Sequence, residues 1–218
     1  GLDINRNQRG EIQDAHAIYA SGRRFVILEA AFGLWQPPSF AEFWPPLLDA
    51  GFLLLAYGFF RGDQGGMEQA EFLLDVTRPM FDAQGFYMPI FADVEPFDGD
   101  ATPSVVTRVR RFHYWKAVIR SVTRAGAYSN QPSWSALMAN DPLDADDLGW
   151  AAHYTPSTSY LVPAGWEPEQ TIVHQYGVAR KYPWCPAVSG MASDVAVDRV
   201  YMTIEQLRSH GSQPGETM

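Results

Sequence analysis

The sequence predicts a single-domain α/β fold, closed into an irregular (β/α) barrel of parallel strands. Nearly continuous apolar runs alternate with helical stretches along most of the 218 residues, as parallel strands buried on both faces do. Polar residues recur at the C-terminal ends of those runs: Asp93 and Glu95, Tyr128, His153 and Tyr154, Gln175 and Tyr176. A barrel gathers every strand's C-terminal end around one mouth, whereas an open doubly wound sheet uses mainly the strands beside its switch point.

Taken in order, residues 1–4 read as an opening strand. The runs 25–28, 52–57, 89–93, 126–128, 150–154 and 171–176 follow it. Between them, residues 39–50 place Phe40, Phe43, Leu47 and Leu48 on a helical stripe. Residues 67–81 do the same with Met67, Ala70, Phe72, Leu73 and Leu74. The stretch 103–123 predicts a helix with Thr102 as N-cap and Pro103 in the first turn. Residues 204–210 predict a short closing helix, and the segment between Tyr128 and Trp150 has room for only a short one. The domain is read as residues 1–210, with 211–218 as a frayed tail.

Composition narrows the function. A formal net charge of −9 argues against nucleic acid or an anionic membrane surface as partner. No apolar run reaches the length of a membrane span, the longest being 51–60. The opening residues lack the basic and apolar regions of a signal peptide. A lone cysteine, Cys185, permits no intrachain disulfide and reads as a loop thiol. Aromatics are high at 14%; most read as core, and the rest suit clefts in which flat rings pack on sugars.

The sharpest motif is Ile90-Phe-Ala-Asp93-Val-Glu95-Pro96, two carboxylates at the end of an apolar strand. Residues i and i+2 of a strand share a face, roughly 7 Å apart. Held together in a low-dielectric cleft, two carboxylates raise one pKa by repulsion and desolvation. The result is one acid and one anion, the pair that glycosidic cleavage uses. Taken alone, a strand-end Asp-x-Glu is equally a cap or an ion-pair partner.

The rest of the chain adds to it. Gly1-Leu-Asp3-Ile-Asn5 with Gln8, Phe25–Leu28, Ala56–Phe60, Gln69-Ala70 with Phe72, and Phe91–Glu95 occur in order. Gly126–Asn130 with Trp134, Ala152–Tyr154, His174–Tyr176, and Val197–Arg199 preceded by Gly190 continue the series. Together these motifs resemble glycoside hydrolase family 25, the lysozymes of phages, bacteria and some fungi. The resemblance implies a modified TIM-like barrel. It also implies hydrolysis, with retention, of the β-1,4 bond between N-acetylmuramic acid and N-acetylglucosamine. Carried over, it makes Glu95 the proton donor, Asp93 its acidic partner, and Asp3 and Asp198 the completion of an acidic cleft. Asp198 is preferred to Asp194 as the closing acid. Tyr57, Phe59, Tyr128, His153, Tyr154, Gln175 and Tyr176 become candidate substrate contacts.

The chain also departs from the family pattern. Where the family often has Ser and Trp after the first Asp, it carries Asn5 and Asn7. The usual Lys-x-Thr-Glu-Gly is Glu29-Ala-Ala-Phe32-Gly33, the usual Tyr-His-Phe is Tyr57-Gly58-Phe59, and the Trp before Gln-Tyr is His174. These changes bear on specificity and leave the four acids in place.

The expected function is therefore a peptidoglycan muramidase, of the kind found as the catalytic domain of a phage endolysin. It would work as a monomer, secreted or released to the cell wall, or made without a signal peptide in a phage's host. The alternative is a catalytically silent wall-binding module. A third reading, a metal hydrolase using His153, His174, Asp93 and Glu95, lacks the usual ligand spacing, so no metal or other cofactor is expected. Arg108, Arg110 and Arg111 read as a solvated helix face, and Asp144, Asp146 and Asp147 as a solvated loop.

Overall fold

A computed structural model describes residues 1–98 and 103–212. Eight strands close a barrel in sequence order. They are β1 (Leu2–Ile4), β2 (Phe25–Phe32), β3 (Leu53–Phe59), β4 (Ile90–Asp93), β5 (Ala125–Ser129), β6 (Leu148–Ala152), β7 (Thr171–Val178) and β8 (Ala196–Val200). β1 to β7 run parallel, and their apolar runs match the expected strands to within a few residues. β8 departs from expectation: it runs antiparallel to both β7 and β1. Its sequence, Ala-Val-Asp-Arg-Val, is short and mixed, with no run long enough to announce a strand buried on both faces.

Among the described residues five α-helices sit between the strands, α1 (Ala15–Ala20), α2 (Pro38–Asp49), α3 (Gly66–Gln84), α4 (Val105–Arg120) and α5 (Gln131–Met138), and α6 (Ile204–Arg208) follows β8. α1 was not legible in advance; its N-terminus is capped by Asp14, whose side chain accepts from the Ala17 N–H at 2.9 Å. α3 continues past its predicted end and stops at Gly85, in the left-handed conformation at φ 87°. α4 is capped by Ser104, and Pro103 precedes the helix; the predicted cap, Thr102, lies outside the described residues.

Charged groups expected in solvent turn out to tie the layers together. Asp147 is buried, and Lys116 of α4, itself buried, donates to it at 2.8 Å and to Asp144 at 2.9 Å. Arg120 joins the same two acids, so this loop is fastened to α4 by ion pairs. Arg108 is buried beside Gly62, and Arg111 donates to the Gly62 carbonyl. One turn of helix α4 thus faces inward, toward the segment after β3. Gly211 and Ser212, read as the start of the tail, lie on the barrel: Ser212 exchanges backbone hydrogen bonds with Tyr87, both at 2.8 Å. The remaining tail, 213–218, is outside the described residues. Among the described residues, no helix is long and apolar enough to cross a membrane.

Candidate active site

The parallel strands deliver their C-terminal ends to one mouth, as the polar run ends predict. Trp150 of β6 plugs the barrel beneath that mouth. The rings of Tyr57, Phe91 and Tyr128 surround it at 5.7, 5.8 and 4.4 Å between centroids. Above this floor opens a well of about 330 Å³, lined by Asp3, Tyr57, Asp93, Glu95, Tyr128 and Gln175, with Asn5, Gln8, Tyr154 and Asp194 nearer its rim. A second cavity of about 690 Å³ adjoins it and is lined by Asn130, Gln131, His153 and Leu161 among others. Glu95, Tyr128 and Tyr154 border both cavities.

Each polar wall residue is placed by its strand. Asp93, the last residue of β4, pairs in register with Phe59 on one side and Tyr128 on the other. Glu95 lies two residues beyond β4, half-buried, with the Asn130 amide 3.4 Å away. Asp3, on β1, accepts from the Gln175 amide at 3.0 Å. Gln175 in turn accepts from the Tyr128 and Tyr154 hydroxyls, each at 3.0 Å. Its amide orientation is thereby fixed, with the oxygen toward the tyrosines and the nitrogen toward Asp3. Asp198, on β8, is buried below the well and accepts from the Trp150 indole N–H at 2.9 Å. Asn5 and Gln8 cap a short 3-10 helix at Arg6–Gln8 reciprocally, which explains polar residues at these rim positions.

Two sequence expectations need correcting and one needs relocating. Tyr176 lies beside Gln175 on β7, and neighbours in a strand point to opposite faces. Its ring therefore stands outside the barrel, under Arg199 at 4.7 Å. His174 is likewise turned outward: it stacks on Tyr160 at 4.0 Å, and its Nε2 donates to the His153 carbonyl at 2.7 Å. The two histidines do not face each other across the mouth. Phe59 sits on the rim rather than in the well, stacked on Phe32 at 4.6 Å with Phe97 edge-on at 5.9 Å.

Glu29 was missed. It is buried in β2, in register with Tyr57, and bound to Arg6. The signal for it is a lone acid inside an apolar run, since β2 continues through Glu29 to Phe32. Trp150, missed as well, reads as core until its N–H is seen to serve Asp198.

Five carboxylates, Asp3, Glu29, Asp93, Glu95 and Asp198, thus share one region; Arg6 pairs with Glu29, and the Gly1 amino group and Arg23 act on Asp198. Burial, followed by the charges of Glu95, Asp3 and Glu29, holds Asp93 well above the usual carboxylate range, against the pull of Arg6. Burial and then Asp198, Glu29 and Glu95 do the same to Asp3. Burial raises Asp198 to about 7 and raises Glu95 and Glu29 as well. Asp3 Oδ1, Asp93 Oδ1 and Asp198 Oδ2 are buried with no hydrogen-bond partner among the described residues. Unpartnered acceptors of this kind are costly unless protonated or supplied with a donor from outside. The cluster can therefore hold protons at neutral pH and hand one to a ligand, while a neighbouring carboxylate stays anionic.

No protein-family model matches this sequence, and no curated protein is detectably similar to it. Solved structures do match. The bacterial lysozyme from Streptomyces coelicolor superposes with a TM-score of 0.80 at 19% identity, over 96% of this chain and 95% of that one. A glycoside hydrolase family 25 lysozyme from Aspergillus fumigatus gives 0.76 at 22% identity, over 97% and 98%. The catalytic domain of an endolysin from a Listeria monocytogenes bacteriophage gives 0.70 at 17% identity, over 95% and 94%. At these identities the likeness is one of fold: the same single-domain, irregular eight-stranded barrel.

Proposed function

We propose that this protein is a muramidase of the glycoside hydrolase family 25 type. It would hydrolyse the β-1,4 bond between N-acetylmuramic acid and N-acetylglucosamine in peptidoglycan. The observation that carries the reading is the position of Glu95. It borders both the polar well and the adjoining groove, so a chain lying across the two presents its linking oxygen to this carboxyl. The family 25 fold of the similar lysozymes supports the same choice.

In this reading Glu95, whose pKa burial raises, delivers its proton to the leaving oxygen. Asp93, deeper and nearer Arg6, supports the positive charge that develops at the anomeric carbon, directly or by orienting the substrate's N-acetyl group. Asp3 and Gln175 fix the wall against which the sugar sits, and Tyr128 and Tyr154 contact it from the groove side. Retention of configuration follows from the family reading. The protein would act at the bacterial wall, as a phage endolysin does.

Purified cell walls incubated with the protein test the proposal. Loss of turbidity, with fragments carrying new reducing ends at N-acetylmuramic acid, is the expected result. Release of peptide fragments alone would refute it. Wall binding without any fragments would instead support the silent-module alternative.

A further inference from the structure

The loop between β7 and β8, residues 179–195, carries a feature that the acid cluster does not use. Tyr154, which borders both cavities, meets the ring of Tyr182 at 5.6 Å. Tyr182 stacks on Trp184 at 5.0 Å and 17°. Trp184 is 37% exposed, and its indole N–H donates to the Tyr176 carbonyl at 3.3 Å. Three rings thus form a continuous path from the well out over the barrel rim.

The path is held rigidly. Cys185 is buried beneath it; its N–H donates to the Tyr182 carbonyl at 2.9 Å, and its own carbonyl accepts from Arg180 at 2.7 Å. The Arg180 guanidinium reaches across to the carbonyls of Ala192 and Met191. Gly177 makes the close approach possible: a Cβ there would come within 2.5 Å of Cys185 Sγ. Held in this way, two large rings stay in contact with solvent at no further ordering cost on binding.

We infer that Tyr182 and Trp184 form an outer sugar subsite that engages further residues of the glycan strand held at Glu95. A rigid aromatic surface suits the apolar face of a pyranose ring. Residues 182–186 carry no charged side chain, which suits the uncharged face of a sugar ring. Lys181, 5.9 Å from the Tyr182 ring, is the charge beside it. Continuity with the well through Tyr154 commits the occupant to the same polymer. The inference rests on the muramidase reading for the identity of that polymer.

The test uses the Glu95→Gln protein and calorimetric titration with short and long oligomers of N-acetylglucosamine. The long oligomer should bind more tightly than the short one. Trp184→Ala should remove that gain, weakening the long oligomer roughly three- to tenfold while changing the short one less. Trp184→Phe, which keeps a ring, should recover part of it. Equal binding of the long oligomer with and without Trp184 would overturn the inference, as would an equal loss for both lengths. Wall hydrolysis by the unaltered chain is scored separately. A length-dependent gain without hydrolysis would refute the muramidase reading and leave the subsite; hydrolysis without the gain would refute the subsite alone.

Discussion

Arg6 and Glu29 form an ion pair beside the acidic barrel mouth. The Arg6 backbone N–H donates to Glu29 Oε2 at 2.8 Å, its guanidinium binds Oε1, and the ring of Phe32 lies under the guanidinium at 4.3 Å. Glu29 is buried, whereas the Arg6 side chain is 34% exposed. The pair sets part of the charge balance around Asp93, whose pKa the Arg6 charge lowers.

Arg6→Ala should therefore act twice. Stranding a buried carboxylate costs about 1–3 kcal/mol here, less than for a fully buried pair because Arg6 meets solvent. Removing the cation also raises the pKa of Asp93 further, so the acid limb of the activity profile should move to higher pH. Denaturant unfolding and a pH–rate profile check the two effects, and Arg6→Lys should restore part of each.

Glu95→Gln should reduce wall hydrolysis by about 10²–10⁴-fold, the contribution of a positioned proton donor. Its melting temperature should be unchanged or slightly higher, since a half-buried acid is replaced by a neutral shape-match. Activity within a fewfold of the parent would remove Glu95 from the role.

The acid cluster also sets how stability follows pH. Asp198 is raised in the folded protein to about 7 from an ordinary value of 3.8. Its contribution is present below the unfolded value and is lost as pH rises from there through the folded one. Asp3 and Asp93, raised as well, act in the same direction. Thermal stability should accordingly fall between pH 4 and pH 8, opposite to the acid lability of proteins whose carboxylates are ion-paired. Asp198→Asn should flatten that slope, gaining most at pH 8. A melting temperature that rises across this range would contradict the prediction.

Trp150→Phe should cost about 2–4 kcal/mol, combining lost packing volume with a lost donor to buried Asp198. Urea unfolding measures it. The loss should shrink at low pH, where Asp198 is protonated and needs a donor less.

Much of the fold was legible because seven strands advertise themselves as apolar runs and their polar ends point to one mouth. Asp93, Glu95 and Gln175 stand out for the same reason, whereas Asp3 and Asp198 enter only through the family resemblance. The exceptions have physical causes. In His174-Gln175-Tyr176 strand alternation lets only the middle residue face the well, while the family motif marks its neighbour as well. Glu29 interrupts an apolar run, and its partner Arg6 lies on a different element, so no spacing links them. Lys116 and Asp147 are buried only because each has the other, a compensation that composition does not display.

The reversed direction of β8 has a further consequence. A parallel eighth strand would need a crossover returning the chain to the far end of the barrel. An antiparallel one needs none, so residues 179–195 remain at the mouth as an extended hairpin connection. The barrel therefore has, next to its acids, a segment without a helix that is tied to the outer layer near Gly190, whose carbonyl accepts from the Gln13 and Asp14 N–H groups. Variation in its 181–187 part, away from those contacts, would reshape the mouth while leaving the scaffold intact. For engineering, it is the natural place to exchange sequence between barrels of this shape.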